Sequence, residues 1–287
     1  MEKDTILYVL TKSKEYLQSK GIETARLDAE VLLAHELKVQ RINLYSSFDR
    51  KLTEAEKDAY RVLIKERGSF RPVAYMIGRK GFYKHEFAVN ENVLIPRPET
   101  EELVEFVLNC EEKDDALRIL DMGTGSGCIG ITLVDECPRW EMHFSDISPE
   151  ALKIAEQNYS AIIKKRIIEI PPHFYQSDLF ESIPAENKYH FITFNSPYIP
   201  LEEKDRLMPD VLNHEPHLAL FIINPQEFYK KLISQSRNWL ENSGSLYLET
   251  DPQWIPLLQN LAESEGFQMT VKKDLSKKDR FVRLRKK

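Results

Sequence analysis

Two short motifs of this chain have the residue types of a small-molecule site. The first, Asp121–Gly127, alternates three glycines with other residues at the end of an apolar run. Glycine permits positive φ angles and close approach of the backbone to a ligand, so the motif predicts a strand-to-helix turn that holds a nucleoside. The second, Asn195–Tyr198, reads Asn-Ser-Pro-Tyr and also ends an apolar run. It predicts a loop that presents an amide oxygen and an aromatic ring to a planar nitrogen.

The second motif suits a weakly nucleophilic nitrogen. The lone pair of an amide or aniline-type nitrogen is delocalised, so acceptors must hold its N–H groups and offset the developing positive charge. We predict the side-chain oxygen of Asn195 and the carbonyl of Ser196 as these acceptors. Pro197 fixes φ, and Tyr198 offers a flat face. Together the motifs indicate methyl transfer from S-adenosylmethionine, with these four as catalytic residues.

Residues beyond the glycines extend the predicted cofactor site. Asp146 ends the next apolar run, where an acid can accept hydrogen bonds from ribose, while Ser148 is better placed to cap the following helix. Ser177–Phe180 follows a third run and is placed for adenine contacts. Gly125–Gly130 also matches the dinucleotide pattern G-x-G-x-x-G, but Asp121 before the glycines favours a methyltransferase. The predicted cofactor-binding residues are Asp121, Gly123, Thr124, Gly125, Ser126, Gly127, Asp146, Asp178, Leu179 and Asn195.

Alternating elements would position these motifs. Residues 1–75 show helical spacing and predict a helical substrate-recognition domain, with Thr53 and Glu56 as a capping box. Residues 76–98 predict a short β linker, and residues 99–287 a methyltransferase domain of α/β class. The predicted strands are Arg118–Met122, Glu141–Asp146, His173–Gln176, Tyr189–Phe194, Ser245–Glu249, Phe267–Val271 and Phe281–Leu284. A helix is predicted after Pro98, where Leu103, Val104, Val107 and Leu108 recur, and further helices are predicted at Cys128–Glu136, Pro149–Ser160, Gln226–Glu241 and Trp254–Ser264.

Bulk properties restrict the partners. The net charge of -6 argues against general nucleic-acid binding through phosphates. There is no apolar run of about eighteen residues and no signal-peptide core at the N-terminus, so we expect a cytoplasmic protein without a membrane span. The spacing of Cys110, Cys128 and Cys137 fits no zinc pattern, and we expect no metal. We also expect a monomer.

At these residues the chain resembles the HemK/PrmC-type protein-glutamine methyltransferases, which modify peptide-chain release factors. The resemblance implies a seven-stranded, Rossmann-like methyltransferase sheet with one antiparallel strand and a small N-terminal helical bundle that grips the release factor. It implies that the glutamine of the Gly-Gly-Gln loop is methylated on its side-chain nitrogen. The segments that carry it include Pro96–Glu101, Asp121–Gly127, Ser145–Ser148, Ser177–Phe180, Asn195–Ile199, Glu215-Pro216 and Ala219-Leu220.

The chain departs from the family pattern near the site. Ser196 stands where the family usually has proline, and Phe221–Glu227 replaces a glycine-rich, acidic stretch. We expect this segment not to cover the site in the usual way. Two alternatives therefore stay open. One is methylation of an exocyclic adenine amine, which the same loop geometry serves. The other is a catalytically weakened protein that binds S-adenosylmethionine or a release factor.

Overall fold

The computed structural model describes residues 2–113, 115–164 and 170–287. Contacts divide the chain into two units, Met1–Gly78 with Met208–His214, and Arg79–Leu207 with Glu215–Lys287. The helices are α1 Ile6–Ser19, α2 Ala25–Glu36, α3 Arg41–Tyr45, α4 Glu54–Gly68, α5 Val73–Ile77, α6 Pro98–Cys110, α7 Cys128–Glu136, α8 Pro149–Ile163, α9 Pro209–His214, α10 His217–Leu220, α11 Pro225–Trp239 and α12 Ile255–Ser264. The strands are β1 Arg79–Phe82, β2 His85–Ala88, β3 Arg118–Met122, β4 Glu141–Asp146, β5 His173–Gln176, β6 Tyr189–Asn195, β7 Ile199–Pro200, β8 Phe221–Ile222, β9 Leu240–Glu249, β10 Phe267–Lys273 and β11 Asp279–Lys286.

The first unit is a helical bundle whose core comes from the apolar stripes of α1, α2 and α4. Leu17, Leu32 and Leu33 are fully buried there. The capping box is confirmed, because Thr53 and Glu56 each bond the main chain of the other at the start of α4. Such reciprocal bonds satisfy main-chain N–H groups that a helix start leaves unpaired.

The second unit is built on a sheet of seven strands in the order β10-β11-β9-β6-β3-β4-β5. The neighbours from β9 to β5 pair in parallel, whereas β11 is antiparallel to both β9 and β10. The predicted α/β sheet with one antiparallel strand is therefore confirmed. β3 and β6 are adjacent, with Met122 opposite Phe194, so the two motifs leave the same edge of the sheet side by side. Parallel sheets hold ligands at this carboxyl edge.

Strand alternation gives the sheet two apolar faces. Ile119 packs in one core cluster with Phe191, and Leu120 packs in the other with Ile192. All four are fully buried, and each such side chain stabilises the fold by about 1.5–3 kcal/mol. The sheet is consequently a firm support for the loops at its edge.

Some element boundaries differ from the sequence predictions. Helix α11 ends at Trp239, before the predicted end at Glu241, and strand β9 begins at Leu240. Leu240 is buried and lies opposite Tyr189 of β6, so pairing along the sheet outweighs the helical pattern there. In the described part of the chain, no helix combines the length and apolarity needed to cross a membrane.

Candidate active site

A cavity of about 670 Å³ lies at the carboxyl edge of the sheet. Gly125 of the first motif and Asn195 of the second both line it. The wall also includes Asp146, which ends β4, and Asp178 and Leu179, which follow β5. The structure thus brings together residues from four separate segments that sequence reasoning selected.

The glycine turn has the shape that close approach of a ligand requires. Gly123 and Gly125 have φ angles of 58° and 54°, a region that side chains disfavour. A Cβ on Gly123 would lie 2.5 Å from Cε2 of Phe194, whereas a Cβ on Gly125 would meet nothing within 4 Å. The first glycine therefore permits packing against β6, and the second keeps the cavity side of the turn open.

Asp121 lies behind this turn. It is fully buried, and its carboxylate accepts hydrogen bonds from the Thr124 hydroxyl at 2.6 Å, the Gly130 N–H at 3.1 Å and the Thr193 hydroxyl at 2.8 Å. Burial raises the pKa of Asp121 to about 6. Among the described residues that form the cavity wall, Asp121 is absent. Asp121 therefore stabilises the turn from inside the protein. This position differs from the direct cofactor contact that the sequence predicts for it.

Asp146 lies on the wall and holds two loops. Its carboxylate oxygens accept the N–H of Gly125 at 2.9 Å and that of Ser148 at 3.0 Å. Ser148 caps α8 by accepting the N–H of Ala151 at 3.1 Å, as predicted. Burial raises the pKa of Asp146. Each carboxylate oxygen can accept a further bond, so Asp146 retains acceptors for hydroxyl groups in the cavity.

Leu179 is held in an unusual backbone conformation on the same wall. Its φ angle is 49°, and its side chain is buried. A non-glycine residue in this region is strained, and such strain concentrates at ligand sites. The neighbouring Asp178 lies 3.6 Å from the ammonium group of Lys231. Leu179 therefore contributes an apolar residue to the same cavity wall as Asp146.

The Asn195 side chain is oriented by residues that sequence reasoning did not select. Its Nδ2 donates to the Thr100 hydroxyl at 3.2 Å, and that hydroxyl donates to the Glu249 carboxylate at 2.8 Å. Because the Asn195 side-chain nitrogen donates to Thr100, the Asn195 side-chain oxygen remains available to accept a hydrogen bond. In the sequence, the feature that could have indicated these residues is Glu249 itself, an acid at the end of an apolar run.

The rest of the second motif supports Asn195 in different ways. Ser196 is buried, and its hydroxyl donates to the main-chain oxygen of Glu249 at 3.2 Å. The carbonyl of Tyr198 accepts from the Trp254 indole at 2.8 Å, and burial raises the pKa of Tyr198 to about 12. Pro197 lines the cavity, whereas Ser196 and Tyr198 are not among the described residues that line it.

Phe221–Asn224 forms part of the cavity wall, so this segment borders the site. Strand β8 pairs with β7 just after the second motif. Asn224 then caps α11 by accepting the N–H of Glu227 at 3.2 Å. These two attachments hold an apolar segment at the sheet edge, without the glycines usual in the family.

Glu215 fixes another part of the wall. Its carboxylate is buried, lies 2.5 Å from the Arg97 guanidinium and accepts the N–H of Ile95 at 3.2 Å. Arg97 precedes α6, which carries Thr100. The ion pair between Glu215 and Arg97 consequently anchors the start of α6, the helix that positions Thr100.

We expect Glu215→Ala to lower the free energy of unfolding by about 1–3 kcal/mol, because it leaves a buried N–H without its acceptor. Urea denaturation measures this change. Glu86→Ala is the matched control, since Glu86 lies 3.2 Å from Arg79 in a pair whose side chains are both more than half exposed. Exposed pairs contribute about 0–1 kcal/mol. Equal losses in the two variants would contradict an anchoring role for Glu215.

A second polar cluster lies at the opposite ends of β4 and β5. Glu141, His143 and His173 place possible ligand atoms within 4.8 Å of one another. The ring nitrogens of His143 lie 2.9 Å from the Tyr189 hydroxyl and 3.1 Å from Glu141, whose other oxygen lies 3.0 Å from Arg118. Burial lowers the pKa of His143 to about 4. These contacts place Glu141 and His143 in a polar network within the protein.

Comparison with known proteins identifies the family. Residues 9–78 match the PrmC N-terminal domain, and residues 101–216 match the methyltransferase small domain. A release factor glutamine methyltransferase of Leptospira interrogans is 47% identical over 97% of this chain and 97% of its own length. The chain belongs to the release factor glutamine methyltransferase family. Relatives of the same name from Rhodopirellula baltica and Chlorobaculum tepidum are 35% and 34% identical over 98% and 96% of this chain. The resemblance inferred from the motifs is confirmed.

The cavity suits the S-adenosylmethionine of a methyltransferase. The open side of Gly125 leaves room for a ligand against the main chain, and Asp146 offers acceptors for ribose hydroxyls. Leu179 supplies an apolar surface for a base. The residues present therefore fit an adenosyl group with regard to space, polarity and position.

Proposed function

We propose that this protein transfers a methyl group from S-adenosylmethionine to the side-chain amide nitrogen of the glutamine in the Gly-Gly-Gln loop of peptide-chain release factors. The observation that carries this proposal is that Gly125 and Asn195 line the same cavity. The first residue belongs to a turn suited to a nucleoside, and the second presents an amide oxygen. Membership of the family supports the choice of substrate.

In this proposal, the chain acts by orientation and charge stabilisation. S-adenosylmethionine supplies an electrophilic methyl group on its sulfonium. The Asn195 oxygen accepts an N–H of the substrate amide, which fixes the nitrogen and offsets its developing positive charge. Pro197 lines the cavity beside Asn195 and restricts the planar amide from the side, while Ser196 and Tyr198 hold the loop through their bonds to Glu249 and Trp254. Positioning of this kind supplies up to about 7–11 kcal/mol in well-oriented systems.

We further propose that the N-terminal helical bundle, residues 1–75, binds the release factor, with residues 76–98 as a linker and residues 99–287 as the catalytic domain. The working location would be the cytoplasm, where release factors act, and the protein would work as a monomer without direct nucleic-acid contacts. The net charge of -6 supports the last point.

The direct test is methyl transfer from labelled S-adenosylmethionine to purified release factor. We expect label on the glutamine of the Gly-Gly-Gln loop, located by peptide mass spectrometry, and no label when that glutamine is replaced by alanine. Bacterial RNA serves as a parallel substrate. Label in RNA alone would favour the adenine alternative. Binding of cofactor without any label would favour the weakened protein, and both results would contradict the proposal.

A further inference from the structure

We propose that Thr100 and Glu249 are positioning residues, which together determine which atom of the Asn195 side-chain amide faces the cavity. The inference rests on the proposed function, in which the Asn195 oxygen receives an N–H of the substrate. It adds a reason why that oxygen, and not the nitrogen, is presented to the substrate.

Three elements meet to form this arrangement. Asn195 ends β6, Glu249 ends β9, and the two residues are opposite each other in the sheet. Thr100 lies in the first turn of α6, with its hydroxyl 3.2 Å from the Asn195 nitrogen and 2.8 Å from the Glu249 carboxylate. Thr100 and Glu249 are 2% and 1% exposed, so water does not compete for these bonds.

The direction of the hydrogen bonds follows from the single hydrogen of a hydroxyl group. An ionised Glu249 can only accept, so the Thr100 hydroxyl must donate to it. The Thr100 oxygen then accepts from Asn195, which must offer its nitrogen. The Asn195 oxygen is left for the cavity. A protonated Glu249 can instead donate to Thr100, which frees the hydroxyl to donate to Asn195 and removes the preference.

The protonation state of Glu249 can therefore change the orientation of the Asn195 amide near neutral pH. Burial raises its pKa to about 7, against the opposing effects of the Thr100 bond and of nearby arginines. The carboxylate is therefore predominantly ionised only above this value. The charged and titratable groups that face Glu249 are Arg97, Glu99, Cys128, Tyr198 and Arg280.

The first test removes the connecting hydroxyl. We expect Thr100→Val to lower kcat for methyl transfer about 10- to 100-fold, because the Asn195 amide loses its fixed orientation. The affinity for S-adenosylhomocysteine should stay close to that of the parent. Thr100→Ser keeps the hydroxyl and should restore most of the rate. A parental rate in Thr100→Val, or an equal loss in both variants, would overturn the proposal.

The second test follows the pH dependence. In the parent, kcat should rise with pH through about 7 as Glu249 ionises. Glu249→Gln cannot ionise, so its rate should be lower at pH 8 and should lose this rise. Asp121 and Asp146 remain in that variant, so a rise that persists would assign the titration to them and overturn the role of Glu249.

Stability separates positioning from a structural role. The pKa of Glu249 is raised on folding, so the stability linked to its proton is present below about 4.5 and is lost as pH rises through about 7. Glu249→Gln should therefore be no less stable than the parent at pH 8 while being slower. Lower stability with proportionate loss of folded protein would indicate a structural role instead.

A spectroscopic measurement is independent of the reaction. In protein labelled with ¹⁵N, the side-chain NH₂ signals of Asn195 should shift with a midpoint near pH 7 in the parent. They should not shift with that midpoint in Glu249→Gln or Thr100→Val. Signals that titrate identically in all three proteins would overturn the proposal. A coupled titration in a parent that does not methylate release factor would retain the inference and reject the proposed function.

Discussion

Replacing Asn195 with alanine is expected to lower methyl transfer to release factor by about two to three orders of magnitude, with little change in cofactor affinity. The variant removes the side-chain oxygen that we propose holds the substrate nitrogen. It leaves intact the glycine turn and Asp146, which line the cofactor part of the cavity. Single-turnover kinetics with labelled S-adenosylmethionine measure the rate, and calorimetry with S-adenosylhomocysteine measures the affinity.

Asn242→Ala is the control for the loss of an asparagine side chain. Asn242 is exposed and lies near the start of β9, at the end opposite Glu249. We expect parental kinetics for this variant. A rate for Asn195→Ala within a fewfold of the parent would contradict the acceptor role. A large loss of cofactor affinity would show that Asn195 acts mainly in cofactor binding.

Replacing Gly125 with alanine is expected to weaken S-adenosylhomocysteine binding at least about tenfold, which corresponds to roughly 1.4 kcal/mol. Gly125 has a φ angle of 54°, and an added Cβ would meet nothing within 4 Å, so the methyl group would occupy open space beside the cavity. The expected loss therefore comes from exclusion of the ligand. Calorimetry with S-adenosylhomocysteine measures it.

Gly21→Ala is a matched control for backbone strain. Gly21 has a φ angle of 81°, and its added Cβ would also meet nothing within 4 Å, but it lies just after α1. Both substitutions should destabilise the fold by roughly 1–2 kcal/mol, since both place a side chain in the left-handed region. Cofactor affinity should fall only in Gly125→Ala. Equal affinities in the two variants would show that the Gly125 side of the turn is not in contact with the ligand.

Much of the sheet could be predicted because its strands are short apolar runs that end at chemically distinctive residues. The bounds of β3, β4 and β5 agree with the sequence prediction, and Ser148 caps α8 as expected. Glycine spacing indicated the turn after β3, since few structures other than a tight turn need glycines there. Local patterns therefore gave the edge of the sheet and the two motifs on it.

Contacts between distant segments could not be predicted in this way. Thr100 and Glu249 are separated by 149 positions, and their hydrogen bond depends on how α6 packs and on the pairing of β6 with β9. Asp121 precedes the glycines as a ligand-binding acid would, yet it is fully buried and accepts bonds from three internal donors. Local sequence could distinguish neither of these arrangements, because tertiary packing determines which polar atoms remain free.

The departures from the family pattern have local structural explanations. The hydroxyl of Ser196 donates to the Glu249 carbonyl and lies 3.4 Å from the Tyr229 hydroxyl, so the serine is bonded within the protein. Phe221 and Ile222 reach the cavity wall through strand pairing. The sequence displayed both changes, but the partners that accommodate them lie on β9, α11 and β7.

The most direct measurement is a crystal structure of the protein with S-adenosylhomocysteine and a peptide that contains Gly-Gly-Gln. We predict that the adenosine lies between Gly125, Asp146 and Leu179. The glutamine side-chain nitrogen should lie within hydrogen-bond distance of the Asn195 oxygen and face the sulfur atom. A glutamine bound away from Asn195, or an adenosine bound outside this cavity, would contradict the account.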